Sequence, residues 1–304
     1  MDLSIIILNY NTSYYLSKCI QSIYKSKLEK YKIEIIVVDN MSKDNSINLA
    51  KKNVPIFNTK YQILNTNLGF AHGNNQGVKI IDPSSKYVLF LNPDTTVEKD
   101  TIHKMINFFE TDSKVDAATC QINLALTGKM QPECHRGFPT PWNSLCHFSG
   151  LSKLFPHSKT FSGYFLGHLD KTIPHKIDAC VGAFLMVKKK VGDKVKWWNE
   201  KYFFYGEDLD FCYQIKKQNF NLFFNPNCKI THFQGVSSGL INKSKHLSKA
   251  SRETKVKVAK ASTQAMKIFY QENLFSYYSS PIRFLVMTGI KLLELQRVFK
   301  AKYL

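Results

Sequence analysis

Short runs of consecutive apolar, often β-branched residues alternate with amphipathic stretches through the first hundred positions. Ser4-Ile5-Ile6-Ile7-Leu8 stops at Asn9-Tyr10-Asn11, which predicts a strand buried on both faces that ends in a loop. Thr12 or Ser13 is placed to cap a following helix with Leu16, Ile20 and Ile23 on one face. Glu34-Ile35-Ile36-Val37-Val38 predicts a second strand, halted at Asp39-Asn40, and Ser42-Lys43-Asp44-Asn45-Ser46 opens another helix. A third strand is expected near residues 61–64. The loop Asn65-Thr66-Asn67-Leu68-Gly69-Phe70 then leads into a helix over 71–80. Tyr87-Val88-Leu89-Phe90-Leu91 predicts a fourth strand, ending in Asn92-Pro93-Asp94. Strand–helix units whose strands are apolar on both faces argue for a mainly parallel sheet covered by helices, an α/β fold.

That pattern also predicts where a ligand binds, because open α/β sheets bind outside the carboxyl ends of their strands. Three of the four strands end in polar residues: Asn9 and Asn11, Asp39 and Asn40, Asn92 and Asp94. Any one of these is an ordinary loop or cap residue. Three such ends on one sheet point to a site.

Beyond residue 128 the alternation breaks into Pro, Gly, His and aromatic residues as far as 175, which predicts a long, partly ordered insertion beside the site. Strand character returns at 179–187. An aromatic cluster from Trp197 to Tyr205 then runs into Glu207, Asp208 and Asp210, with Leu209, Cys212, Tyr213 and Ile215 on the helix behind them. Residues 222–225 and 229–232 read as two final short strands. After Gly239 come Lys243, Lys245, Lys249, Arg252, Lys255, Lys257 and Lys260 with almost no acidic relief, then a helical stretch over 282–299. Its apolar positions suit either packing on the domain or lying on an anionic membrane surface. The expected organisation is a first half over about 1–100, a second half over about 101–239, and a basic helical extension over 240–304.

Composition sharpens this only in places. The 304 residues carry 42 Lys and Arg against 23 Asp and Glu, a formal charge of +19, which calls for an anionic partner without naming it. The seven cysteines are scattered with no C-x-x-C, and the spacing of Cys134-His135 and Cys146-His147 fits no common zinc finger. Reduced thiols, an apolar start too short for a signal peptide and no stretch of membrane-spanning length lead to the expectation of a cytosolic protein, with the inner face of the membrane as its docking surface.

Carboxylates at the strand ends and before a helix can serve to hold a diphosphate, to neutralise its charge, and to act as base for a hydroxyl. Mg²⁺ or Mn²⁺ suits the first two tasks, taking one or two protein carboxylates and completing its shell with phosphate and water. Asp94, behind a proline that restricts the backbone, is placed to be such a carboxylate, although Asn-Pro-Asp is also an ordinary turn. Asp39 is placed to accept hydrogen bonds from a base or ribose, or simply to enter a helix. If Asp208 begins a helix, Asp210 lies about 200° around it, so one carboxylate can act as base while the other serves structure. Phe203, Phe204 and Tyr205 can exclude water and offer a sugar platform, and a drier setting raises a carboxylate's pKa usefully. The bland alternative is acids enriched at a helix N-terminus for its dipole.

In order along the chain stand Ser4–Asn11, Ile36–Ser46, Asn67–Asn75, Leu91-Asn92-Pro93-Asp94, Val181–Val187, Phe203–Asp210, and His232 with Ser237-Ser238. This succession resembles the family 2 glycosyltransferases of the rhamnosyltransferase and galactofuranosyltransferase type, over roughly residues 3–240. The resemblance implies a GT-A fold, a nucleotide-sugar donor, a divalent metal and inversion at the anomeric carbon. It implies that Asp39 contacts the nucleoside, that Asp94 holds the metal, and that His232 approaches metal or diphosphate. It makes Asp208 the catalytic base, with Glu207 beside it binding acceptor. Asn9, Asn11, Asn67, Gly69, Asn92 and Gly182 fall on the donor-binding side, and Gly182 and Ala183 let backbone approach the sugar.

Two departures bear on substrate identity. Lys196-Trp197-Trp198-Asn199-Glu200 replaces the family's frequent Gly-Gly-Phe-Asp-Glu, and Gln214 stands where an arginine is customary. Both are expected near donor sugar and acceptor. The expected donor is a dTDP- or UDP-sugar, rhamnose first, with galactofuranosyl, glucosyl or N-acetylhexosaminyl transfer as runners-up, and donor hydrolysis without transfer more remote. The expected acceptor is a cell-surface or lipid-linked glycan. From another class, the charge admits a nucleic-acid-binding protein or a non-catalytic lipid-surface scaffold. No zinc-finger, helix-turn-helix or basic-aromatic RNA motif supports the first, and intact Asp94 and Asp208 oppose the second.

Overall fold

The computed structural model describes residues 1–28, 30–53, 58–233 and 252–303. The first hundred residues form β1 (Leu3–Asn9), α1 (Ser13–Tyr24), β2 (Ile33–Asp39), α2 (Ser46–Asn53), β3 (Thr59–Ile63), α3 (Phe70–Val78) and β4 (Tyr87–Leu91). Every residue of β1 and β4 is buried, as runs apolar on both faces require. β1 pairs in parallel with β2 and β4, and β2 with β3, so the order β3-β2-β1-β4 carries Asn9, Asp39 and Leu91 to one edge.

The sheet continues in mixed orientation. After β5 (Thr95–Val97) and α4 (Thr101–Thr111) comes β6 (Ala117–Leu124), which the hydrophobic pattern did not mark. The insertion contains two short helices, α5 (Pro141–Phe148) and α6 (Leu151–Leu154), and returns through β7 (His175–Lys176). It is more ordered than a partly structured loop: Thr140 caps α5 by accepting from Asn143 N–H. β8 (Phe184–Lys188) runs antiparallel to β4 and β6; α7 (Lys189–Val195) and α8 (Glu207–Lys217) lead to β9 (Leu222–His232), which is parallel to β6. The full order is β3-β2-β1-β4-β8-β6-β9-β5, with β7 also on β9. The two short strands expected over 222–232 are thus one strand, whose pairing with β6 shifts register around Pro226. The strand expected over 179–187 begins only at Phe184, because Ala179 and Val181 bond to Arg136 and Glu133 of the insertion instead.

The C-terminal helices α9 (Arg252–Phe269) and α10 (Ser280–Tyr303) pack on each other, and α9 joins the main core. Ala265, Phe269, Tyr270 and Leu274 are buried there, and a large apolar side chain contributes ~1.5–3 kcal/mol when fully buried. The boundary expected at residues 239 and 240, Ser237-Ser238, and Lys243, Lys245 and Lys249 lie outside the described residues. Among the described residues no helix is long and apolar enough to cross a membrane. All seven cysteines are buried and unpaired.

Candidate active site

At the carboxyl ends of β1 and β2 the polar residues form a closed network. Asn9 donates to Asp39 Oδ1 at 2.6 Å and to Ser42 Oγ at 3.0 Å, and its own oxygen accepts from Thr12 at 2.6 Å. Thr12 therefore stands at the start of α1 with its hydroxyl committed to Asn9 rather than to the helix. Asp39 Oδ2 accepts from Ser42 N–H, and Asn11 Oδ1 accepts from Lys43 N–H. Asn9 thus acts as a bracket that orients Asp39.

The 65–69 loop is tied down by Asn40, whose amide donates to Asn67 Oδ1 and whose oxygen accepts from Leu68 N–H. Asn67 also accepts from Gly69 N–H. Gly69 has φ +85°, and a Cβ there would collide with the Phe203 carbonyl, to which Phe70 N–H donates at 3.0 Å. These two residues join the 65–69 loop to the aromatic segment before α8. Gly182 is buried against Phe70 and Trp198, and Asn92 N–H donates to Ala183 O.

After β4, Asp94 meets His232, the last residue of β9. Asp94 Oδ1 lies 3.2 Å from His232 Nε2, and both residues are 4% exposed. Gln131 Oε1 sits 2.8 Å from His232 Nδ1. An amide oxygen only accepts, so Nδ1 carries a proton and Nε2 is the nitrogen that faces the carboxylate oxygen. Two such atoms need a proton or a cation between them. Among the described residues no three His, Cys, Asp or Glu gather around a point. A hard cation that completes its shell with phosphate and water needs only one or two protein donors. The Asp94–His232 pair, with Gln131 fixing the tautomer, fits that requirement.

Tyr205 and Gly206 both have positive φ, and this sharp turn presents Glu207 and Asp208 at the start of α8. Their neighbour Asp210 points elsewhere, as its position around the helix requires: it accepts from Asn273 at 2.6 Å and meets the Tyr202 hydroxyl. Glu207 is 7% exposed, and its Oε2 has no partner among the described residues. Burial, and then the charge of Asp208, push Glu207 up to about 8, so it holds a proton at neutral pH. Asp208 Oδ1 accepts from Leu209 N–H, and its Oδ2 lies 3.3 Å from the Arg136 guanidinium. Of the aromatics in front, Phe203 and Tyr205 are exposed and available to a ligand, whereas Tyr202 is core.

Arg136 and Gln131 were not anticipated from the sequence. Both lie on one short stretch, with Gln131 reaching the Asp94–His232 pair and Arg136 reaching Asp208. One signal was present: Arg136 is the only arginine before residue 252 in a chain that otherwise uses lysine. The departures at 196–200 and 214 make contacts within the fold. Trp198 is buried between Phe90 and Phe211, Asn199 donates to Glu272, and Gln214 donates to Asn273.

Residues 4–196 match the model of glycosyl transferase family 2. The low-salt glycan biosynthesis hexosyltransferase Agl10 of Haloferax volcanii is 27% identical over 229 residues, covering 73% of this chain and 64% of that protein. The rhamnosyltransferase WbbL of Escherichia coli K12 is 25% identical over 178 residues, 54% of this chain and 61% of that one. Among solved structures, the mannosyltransferase PcManGT from Pyrobaculum calidifontis, in complex with GDP-Man and Mn²⁺, superimposes with a TM-score of 0.57 at 12% identity, over 98% of this chain and 72% of that chain. GalNAc-T7 with UDP, GalNAc and Mn²⁺ gives 0.56 at 16% identity, over 76% and 44% respectively. The chain thus spans under two thirds of these curated relatives' lengths, and the structural likeness establishes a GT-A fold. With the polar strand ends, the Asp94–His232 pair and the Glu207–Asp208 turn on one such scaffold, the chain belongs to glycosyl transferase family 2.

Proposed function

We propose that the chain transfers a sugar from a nucleotide-diphosphate donor to a hydroxyl of a glycan or lipid-linked glycan, with inversion. The carrying observation is the stretch from Gln131 to Arg136, which touches the Asp94–His232 pair at one end and Asp208 at the other. On this reading Asp39, oriented by Asn9 and Ser42, binds the nucleoside, and Asn11, Asn67 and Asn92 line the donor side. When bound at Asp94 and His232, Mg²⁺ or Mn²⁺ supplies positive charge to the departing diphosphate. Asp208 takes the proton of the acceptor hydroxyl as its oxygen bonds to the anomeric carbon and the bond to the diphosphate oxygen breaks. One displacement on the opposite face inverts that carbon. Glu207, neutral and with a free oxygen, is placed to hydrogen-bond the acceptor.

Rhamnose from a dTDP- or UDP-sugar is the first donor to try. WbbL is named a rhamnosyltransferase, and Staphylococcus aureus TarS, 28% identical over 110 residues, a poly(ribitol-phosphate) β-N-acetylglucosaminyltransferase. Galactofuranosyl, glucosyl and N-acetylhexosaminyl donors therefore belong in the same panel.

The lipid-linked form of the acceptor draws support from α10. At 100° per residue, Phe284, Leu285, Leu292, Leu295, Phe299 and Tyr303 fall within an arc of about 100°. All six are at least 60% exposed. Lys291 and Lys302 border that arc, and Glu294 lies on the far side, a distribution that suits the surface of an anionic bilayer.

The deciding experiment measures nucleoside diphosphate release from the donor panel with Mn²⁺ or Mg²⁺, then with EDTA, using a lipid-glycan extract as acceptor. Metal-dependent turnover with one donor, lost in Asp94→Ala and Asp208→Asn, is expected. Turnover that ignores EDTA, or that survives Asp208→Asn, overturns the assignment of the site.

A further inference from the structure

The buried guanidinium of Arg136 plays no part in the reaction as set out above. Its terminal nitrogen lies 3.3 Å from Asp208 Oδ2, and both side chains are 13% exposed. Its Nε has no hydrogen-bond partner among the described residues. The backbone beneath it is fixed, since Arg136 N–H donates to Ala179 O and Ala179 N–H donates back to Arg136 O. The other oxygen of Asp208 is already held by Leu209 N–H at 2.8 Å. The carboxylate is therefore gripped at both oxygens, once by its own helix and once from the insertion.

A lone ion pair at low exposure is a poor source of stability, because desolvation offsets most of the attraction. It does orient a carboxylate well, and arginine does so better than lysine through its planar fork and permanent charge. Here a chain with four arginines among 42 basic residues places one at this point. Two adjacent carboxyl groups, Glu207 and Asp208, share the spot, so removal of the cation leaves Asp208 held at one oxygen only and lacking its counter-charge.

We propose that Arg136 is the positioning residue of the candidate base, setting the rotamer of Asp208 from outside its helix. This rests on the reading of Asp208 as base. Arg136 acts through Asp208, so its loss lowers turnover and leaves donor binding intact.

The test uses the full chain with Arg136→Gln, Arg136→Ala and Arg136→Lys beside Asp208→Asn. Turnover is measured, nucleoside diphosphate binding with Mn²⁺ is followed by calorimetry, and folding by thermal melt. Losing one preorganised charge is expected to lower kcat ~10²-fold in the Gln and Ala variants. Donor Kd should hold within about twofold, a change worth under ~0.5 kcal/mol, so that the loss falls on kcat alone. Millimolar guanidinium ion should restore part of the activity of Arg136→Ala, and Arg136→Lys should fall between wild type and Gln. Wild-type kcat in the Gln variant, beside an inactive Asp208→Asn, overturns the proposal and leaves the base assignment standing. A loss that follows the melting temperature and answers to neither lysine nor guanidinium overturns it too, reducing Arg136 to a structural residue. An active Asp208→Asn removes the base reading itself.

Discussion

Gln131 Oε1 holds His232 Nδ1 at 2.8 Å across 101 residues of sequence, and so determines which nitrogen of that ring faces Asp94. A ring whose outer nitrogen is fixed presents its other lone pair in one direction only. Gln131→Leu should weaken Mn²⁺ binding ~10–100-fold, the usual cost of losing such a support. Calorimetry with Mn²⁺ and nucleoside diphosphate reads this directly, and unchanged affinity would show that the glutamine has no hold on the site.

Glu207 carries the clearest pH signature. Its carboxyl is pushed up to about 8 in the fold by burial and by the charge of Asp208, against an ordinary value of 4.5. The unfolded chain releases that proton above 4.5 while the folded chain retains it, so stability contributed here is full below 4.5 and declines as pH rises towards 8. Glu207→Gln keeps the neutral shape and has nothing to ionise. Its melting temperature should gain on the wild type between pH 5 and pH 8, and a constant difference across that range would contradict the assignment.

Gly69 is required by a close approach. Its φ of +85° is strained for any side chain, and a Cβ there meets the Phe203 carbonyl. Gly69→Ala should cost ~1–3 kcal/mol through strain and the separation of Phe70 N–H from Phe203 O. Denaturant unfolding measures the loss, and donor affinity should fall with it because the Asn67 loop is tied to the same point.

The exposed stripe of α10 is tested by substitution and not by truncation. Leu292→Glu with Phe299→Glu should abolish binding to vesicles containing anionic lipid, while turnover on a soluble acceptor stays at the wild-type level. Vesicle binding that survives the double variant would place the contact elsewhere. A change in sedimentation coefficient without any vesicle effect would make the stripe an interface between copies of the chain.

The strands β1, β2 and β4 were legible because runs such as Ile5-Ile6-Ile7 are apolar on both faces and leave the chain little choice of environment. Their polar ends were legible for the same reason: Asp39 and Asp94 stand where the apolar run stops. β9 was read as two pieces because Pro226 cannot join a regular ladder, and the sheet absorbs it in a register shift opposite Cys120 and Gln121. Gln131 and Arg136 escaped notice because their partners lie 101 and 72 residues away, and no local pattern records a contact of that range. Trp198 stacks on Phe211 in the core and Gln214 binds Asn273, contacts that no local pattern records.

The bond from Asn273 to Asp210 has a consequence in time. Synthesis runs from the N-terminus, and domains form as their parts emerge. The parallel strands β1 to β4 are complete by residue 91. The helix bearing Asp208 must wait for its brace: Asp210 is without the amide of Asn273, and Asn199 and Lys201 without Glu272, until another sixty residues have left the ribosome. A ribosome-bound chain would therefore have its parallel strands in place before the helix bearing Asp208 is braced.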